Sequence, residues 1–566
     1  MIITKTNDTI IVKGNDYAIE ASESKISVMM GGESVVRLQP VTAIDVTQDD
    51  DESCYTDVES ESVKFSFTEG NPSVFKWESS SSLWEKKEYV LECYNDRAEY
   101  SVTVHGKGRV DSVCYFLRYN EKGKKRGGQF DFSRGFYPNI YESGDDGFYY
   151  MGAPRDVDST LTVPPMFFHA YNVAGMSRML MFALVAQMGE HNFTKLSYFP
   201  EMYFRTDHDG HTYADGSWTA PKIVICTAED QYDACERYAA LYFDTGICPR
   251  GVRGDKPRFW YGPIACGWFE QMAQMHEFGG KLMEMSKEET YLRMLERFGK
   301  RGISPKILII DDQWMEEYGP CYAHPERWPD LRRFIDERRA EGVHVFLWYR
   351  LWISEGFPEE LGHDSNHDDE RFIDPTDPAG RETLRQVIRR LISSEEGCYN
   401  ADGIKIDFAF MQPRGRKMRT YSGKYGAELL YEYIKLIHDT AKECKPHAVI
   451  NASPAHPIFA AIVDHARLHD YESVNVRCAE EFRHRAKIWG YALPDSLIDM
   501  DGGITSTNRD VMRFLLSQAK YGIPDLYFIS DFPNFVLTDE EWERVADAWR
   551  QYNKKCDILY GEDTIK

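Results

Sequence analysis

The sequence has no window approaching 18 uninterrupted apolar residues, and its opening MIITKTNDTIIVKG lacks a basic segment followed by an apolar one. Neither a membrane-spanning helix nor an export signal is expected, and the chain reads as soluble and cytoplasmic. Its 12 cysteines never stand in a Cys-x-x-Cys pair, which argues against a structural zinc site or a dense disulfide framework and leaves reduced core thiols as the expectation. Positive charge is scarce: 67 Lys and Arg face 91 Asp and Glu, a formal net charge of -24. Such a surface repels nucleic acid and anionic membranes, so neither is expected as a partner and a neutral substrate is more natural. No internal repeat is evident.

Aromatic residues are abundant, at 14% of the chain with 12 Trp and 34 Tyr. Most of these rings belong in core and sheet positions, but an excess also suits sugar binding, because pyranose rings stack their C–H faces on aromatic planes. At 566 residues the chain is too long for one compact core. Up to about residue 245, short alternating segments such as YAIEAS, KISVMM, EYVLECY, AEYSVTVHG and KIVICTA are separated by Gly, Asn, Asp and Ser, the pattern of an antiparallel β-sandwich. Residues 231–243, QYDACERYAALYF, turn helical, and the Gly- and Pro-rich stretch that follows sets an expected boundary: a sandwich over 1–250 and a second domain over 251–566.

In that second part short apolar runs alternate with amphipathic helices. The runs cover 259–265, 307–311, 343–349, 403–407, 448–453, 466–470, 496–500 and 525–530. Eight strands each followed by a helix give the expectation of a (β/α)8 TIM barrel. Capping boxes at Ser286–Glu289 and Thr538–Glu541 are read as the starts of two of its helices.

The active site of such a barrel lies at the C-terminal ends of its strands, so polar residues there are the candidates. Strand two ends in Asp311, Asp312 and Trp314; strand three runs into Trp348, Arg350 and Trp352; strand four carries Lys405 and Asp407. Strand five ends at Asn451 and Ser453, strand six at Asp470, and strand eight at Ser530 and Asp531. Lys405 and Asp407 are two apart and therefore share one face of the strand. An ammonium beside it would keep Asp407 ionised, as a nucleophile requires, although a buried structural ion pair is an equally good reading of Lys-x-Asp taken alone. His456 and His469 read as ordinary hydrogen-bonded histidines, and no metal-ligand set is seen.

These residues resemble the clan of retaining α-glycosidases that includes α-galactosidase families 27 and 36. Ile309-Ile-Asp-Asp-Gln-Trp314 is similar to the clan's strand-two signature, whose acids bind sugar hydroxyls, and Gly403-Ile-Lys-Ile-Asp407 to its nucleophile motif. Phe372–Pro378 resembles a segment of family 36, and Asp501–Thr505 through Phe528–Asp531 resembles the end of family 27 catalytic domains. The sandwich resembles the domain preceding the barrel in family 36. Gly-Ile-Lys-x-Asp is also similar to family 31 α-glucosidases. The strand-six pattern departs from the clan's Arg-x-x-x-Asp, since Arg467-Leu-His-Asp470 places the acid one position early.

The resemblance implies a retaining, exo-acting α-glycoside hydrolase, most like an α-galactosidase, with Asp407 as nucleophile and Asp470 as acid/base; Glu472 is the alternative acid. The two carboxyl groups of a retaining pair should lie about 5 to 5.5 Å apart. Asp311, Asp312, Lys405 and Arg350 are expected to hold hydroxyls, with Trp268, Trp314 and Trp348 as walls and Asn451 and Ser453 alongside. No cofactor or metal is expected; the partner is an oligosaccharide or glycoside, and a homo-oligomer is compatible with the chain. An α-glucosidase-like enzyme, a transglycosylase and a catalytically silent sugar-binding protein stay open as alternatives.

Overall fold

The computed structural model describes residues 1–6, 8–48, 52–60, 63–130, 134–136, 149–150, 164–251, 254, 256–364, 371–468, 478–501, 510–533 and 535–560. Among the described residues the paired strands of the first part run antiparallel, with one isolated parallel bridge, Val58 to Tyr119. One sheet is a meander of Ile2–Lys5, Ile10–Lys13, Ala18–Ala21, Ile26–Met30 and Glu33–Leu38, with Gln129–Phe130 added at its edge. The other is built around two long strands, Arg97–Tyr115 and Tyr203–Thr219, which pair with each other. Strict alternation decides which side is inside: in Lys86–Cys93 every second residue is buried. Trp77, wholly buried in the large sheet, donates its indole N–H at 2.9 Å to Ser22 O, in the turn between two strands of the small one, and so ties the two. No two of the cysteines are joined in a disulfide.

The helix Gln231–Phe243 has the bounds read from its periodicity, and Asp230 caps it by accepting from Tyr232 N and Asp233 N. It joins the two halves. Tyr232 OH lies 2.8 Å from His484 Nδ1 and Tyr238 OH 2.9 Å from His456 Nε2, both on the barrel side. His456 is thus a buried, hydrogen-bonded histidine, and burial holds its basicity well below the ordinary value.

Eight parallel strands form the barrel. Strands one to eight are Ile264–Cys266, Ile307–Ile310, His344–Arg350, Gly403–Asp407, Val449–Ala452, His465–Arg467, Leu497–Asp499 and Asp525–Leu526. Strand eight pairs with strand one, and a parallel bridge between Asp499 and Ile523 closes the ring. Residues 259–261 of the expected first strand instead lie in a 3-10 turn. Near-continuous burial along strands two and four fits a parallel sheet covered by helices. Glycine is required at 403, where a Cβ would stand 2.7 Å from the Phe346 ring and 2.8 Å from Val449 O.

Of the two expected capping boxes, Thr538 and Glu541 form theirs: Thr538 N donates to Glu541 Oε2 at 2.8 Å and Glu541 N to Thr538 Oγ1 at 3.2 Å. Ser286 does not cap. Its helix starts at Glu288 with Lys287 in the cap position, and the Ser286 hydroxyl points back to Asp311 O at 3.4 Å. The hydroxyl is drawn to a buried strand-end carbonyl that would otherwise lack this donor.

Candidate active site

Parallel pairing places the strand ends side by side, with Arg350 in register with Asp407 and Lys405 with Asn451. Asp407 ends strand four with its side chain 16% exposed. Its Oδ2 accepts from Trp348 Nε1 at 3.0 Å, and its Oδ1 accepts from Phe408 N at 2.8 Å and from Arg467 Nη1 at 3.2 Å. Strands three, four and six thus converge on one carboxylate. Two of these donors stand on barrel strands and the third on the residue that follows strand four, and together they orient the carboxylate.

Lys405 is engaged elsewhere. Its buried ammonium donates to Asp311 Oδ2 at 2.6 Å, to Tyr527 OH at 3.1 Å and to Cys266 Sγ at 3.4 Å. Asp311 Oδ2 also accepts from the Cys266 thiol at 3.0 Å. Side chains two apart on a strand are separated by roughly 6.5 Å, and the long lysine stem carries its charge across to strand two. The cation beside Asp407 is Arg467, which also pairs with the buried Asp501 and donates to Ser453 Oγ at 3.4 Å.

Asp312 faces a different environment from its neighbour. Burial, reinforced by the charge of Asp311, pushes its carboxyl up to about 6, while Tyr318 and Gln313 donate to it and pull the other way. Gln313 adopts a left-handed backbone, φ 70°, and its amide reaches Tyr318 OH. Arg350 lies between two rings, 4.7 Å from the centroid of Phe408 and 5.2 Å from that of Tyr318.

The expected walls differ in exposure. Trp268 opens the helix after strand one and is half-buried. Trp314 is wholly buried, its N–H donating to Trp348 O at 2.9 Å, so it braces Trp348 from behind. Trp348 is itself buried and meets the site through its N–H on Asp407. Asn451 donates to Asp499 Oδ2 at 2.6 Å inside the barrel. There burial and the charge of Asp501 push the Asp499 carboxyl up to about 7, and Asp525 is raised as well.

Ser530 turns away from this group, binding Glu270 and Arg297 on the two helices that follow strand one. Sequence reasoning missed Cys266, Tyr527 and Asp499, although Cys266 and Asp499 are strand-end residues and could have been found by that criterion. Asp470, Glu472 and His469 lie outside the described residues, as do 502–505 of the likened Asp501–Thr505 segment. Among the described residues no group of three or more His, Cys, Asp or Glu is arranged to hold a metal ion.

The fold is thus a parallel barrel preceded by an antiparallel domain, with the Asp407 carboxylate held at the barrel's C-terminal rim. Residues 270–477 match the model of the glycosyl hydrolases family 31 TIM-barrel domain, and the chain is a glycoside hydrolase. The match lies within the clan of retaining α-glycosidases to which the motifs were likened; the matching model is that of family 31, and galactose specificity is not part of the match. No curated protein matches the chain.

Among solved structures, a family 31 sulfoquinovosidase from E. rectale is 13% identical with a TM-score of 0.58, over 99% of this chain and 84% of its own. A dextranase of family 31 from Flavobacterium johnsoniae is 10% identical with a TM-score of 0.51, over 99% and 69%. An α-galactosidase from Thermus thermophilus is 13% identical with a TM-score of 0.50, over 86% and 99%. At these identities the likeness is one of fold. Among the described residues no helix is long and apolar enough to cross a membrane.

Proposed function

We propose that the chain is a retaining, exo-acting α-glycoside hydrolase in which Asp407 attacks the anomeric carbon. The observation that carries this reading is the setting of Asp407: a partly exposed carboxylate at a barrel strand end, oriented by Trp348, Phe408 N and Arg467. A nucleophile needs one oxygen presented to solvent-side substrate and its rotamer fixed, because misplacement by 1 Å costs about 100-fold in rate.

In the first step Asp407 forms a glycosyl ester as Asp470 protonates the departing oxygen; in the second, Asp470 activates water, which displaces Asp407 and restores the configuration. Asp312, Arg350 and Trp268 serve the sugar at the rim, and Lys405 acts on it through Asp311. The relatives named for sulfoquinovosidase, dextranase and α-galactosidase activity support a sugar glycoside as substrate. The reading commits to the α-glycosidic bond and not to galactose.

The test is release of nitrophenol from aryl α-galactoside, α-glucoside, α-xyloside and β-L-arabinopyranoside, by the wild type and Asp407→Asn. Turnover of one glycoside that the substitution cuts by about 1,000-fold or more is the expected result. A covalent adduct on Asp407, seen by mass spectrometry with a fluorinated sugar of the same configuration, separates a nucleophile from a binding residue. Equal activity in Asp407→Asn ends this reading.

A further inference from the structure

The loop that leaves Asp407 is gripped by the antiparallel domain. Within the long pair Arg97–Tyr115 and Tyr203–Thr219 the ladder is regular except at one place, where the pairs Ser112↔Asp207 and Val110↔Thr212 flank four residues, 208–211, set against the single Asp111. Such a bulge re-aims side chains, and bulges cluster next to active sites. Asp209 takes a left-handed backbone, φ 47°, and Gly210 follows at φ 78°, where a Cβ would stand 2.5 Å from Thr47 Oγ1. Asp and Gly are the residues that best tolerate positive φ, so the local sequence favours this turn.

Both sides of the irregularity reach the same barrel segment. His211 Nε2 donates to Gly415 O at 3.0 Å, and its ring stacks on Tyr425 with centroids 4.0 Å apart. Tyr425 OH donates to Asp209 and accepts from Gly415 N at 3.2 Å. Gly415 is therefore held by both its N–H and its carbonyl. Across the bulge, Asp111 binds the Arg416 guanidinium, whose Nη2 lies 3.1 Å away. A second loop of the same domain adds Asn192, accepting from Tyr425 N at 3.1 Å, and Phe193 O, accepting from Ala427 N at 3.1 Å.

The gripped segment begins at the reacting carboxylate. Phe408 follows Asp407 in a left-handed conformation, φ 60°, and its N–H is one of the donors to Asp407. Its ring lies against Trp348, centroids 6.0 Å apart, and against Arg350. A 3-10 turn, 409–411, leads to Gln412, whose amide binds Gly426 O and closes the loop on itself.

We propose that Asp209 and His211 are positioning residues for catalysis: acting through Tyr425 and Gly415, they hold the 408–425 loop so that Phe408 keeps its N–H on Asp407. This rests on the reading of Asp407 as nucleophile. The antiparallel domain is then part of the working site and not an appendage.

The experiment compares wild type, His211→Ala, His211→Gln, Tyr425→Phe and Asp407→Asn, using hydrogen exchange followed by mass spectrometry and turnover of whichever nitrophenyl glycoside the wild type cleaves. His211→Ala and Tyr425→Phe should raise exchange in peptides spanning 408–418 by about 10-fold, with peptides of 428–444 unchanged, and should lower kcat with KM little altered. His211→Gln, which keeps a donor for Gly415 O, should recover most of the protection and the rate. Unchanged exchange over 408–418 in both variants overturns the proposal, as does increased exchange with wild-type kcat. If Asp407→Asn retains full activity, the nucleophile reading fails instead, and the exchange result still reports on the grip.

Discussion

Arg467 Nη1 lies 3.2 Å from Asp407 Oδ1, so a cation beside the strand-four carboxylate comes from strand six and not from Lys405 on the same strand. Arg467 is 1% exposed and holds two carboxylates, Asp407 and the equally buried Asp501. Arg467→Met removes that cation while retaining much of the bulk. Breaking a buried pair from one side costs about 3 to 5 kcal/mol, because the remaining charge stays desolvated. The urea midpoint should fall accordingly, with turnover lost in parallel; a midpoint equal to that of wild type would show that Asp501 finds another partner.

Asp312 carries a pH dependence of definite sign. Its carboxyl is raised by burial and by Asp311 to about 6, above its ordinary unfolded value, so between the two the folded state binds the proton more tightly. This contribution to stability is fully present below the unfolded value and is lost as pH rises through about 6. Asp312→Asn should therefore flatten the change in unfolding free energy between pH 4 and pH 7 relative to wild type. In the pH profile of kcat/KM, the same substitution should remove a transition near pH 6. A profile superimposable on wild type would place that transition on another group.

Glu270, on the helix after strand one, fastens the segment that follows strand eight. Wholly buried, it accepts from Ile529 N at 2.9 Å, from Ser530 N at 3.1 Å and from the Ser530 hydroxyl. Glu270→Ala leaves these donors in a dry pocket, at a cost of about 1 to 3 kcal/mol for each one left unsatisfied. It also loosens the segment behind Tyr527, the residue against Lys405. Denaturant unfolding should show a loss of at least about 2 kcal/mol, whereas a loss below 0.5 kcal/mol would mean that water replaces the carboxylate.

What sequence could reveal follows from the range of each interaction. Alternation of period two, visible in Lys86–Cys93, gave the antiparallel domain because side-chain direction along a strand is local. Apolar runs separated by amphipathic helices gave the barrel, including Leu497–Asp499, whose run SLIDM looks as much like a loop as a strand. Thr538 could be read as a cap because its partner is three residues away. Ser286 carries the same signature but is claimed by Asp311 O, 25 positions distant, a competitor that no local pattern displays.

The sequence by itself determined the order of the elements, the strand-end positions of Asp311, Asp312, Lys405 and Asp407, and the acidic charge of the chain, all of which depend on spacing or composition. Only the tertiary structure decided the partners: Lys405 with Asp311, Arg467 with Asp407, Trp314 behind Trp348, and Ser530 turned outward to Glu270. It alone brought the 208–211 bulge to the loop after strand four, across some two hundred residues of chain. Pairings of this kind are set by which strands stand next to each other when the barrel closes and by which charges lose their water there, and neither is written in the spacing along the chain.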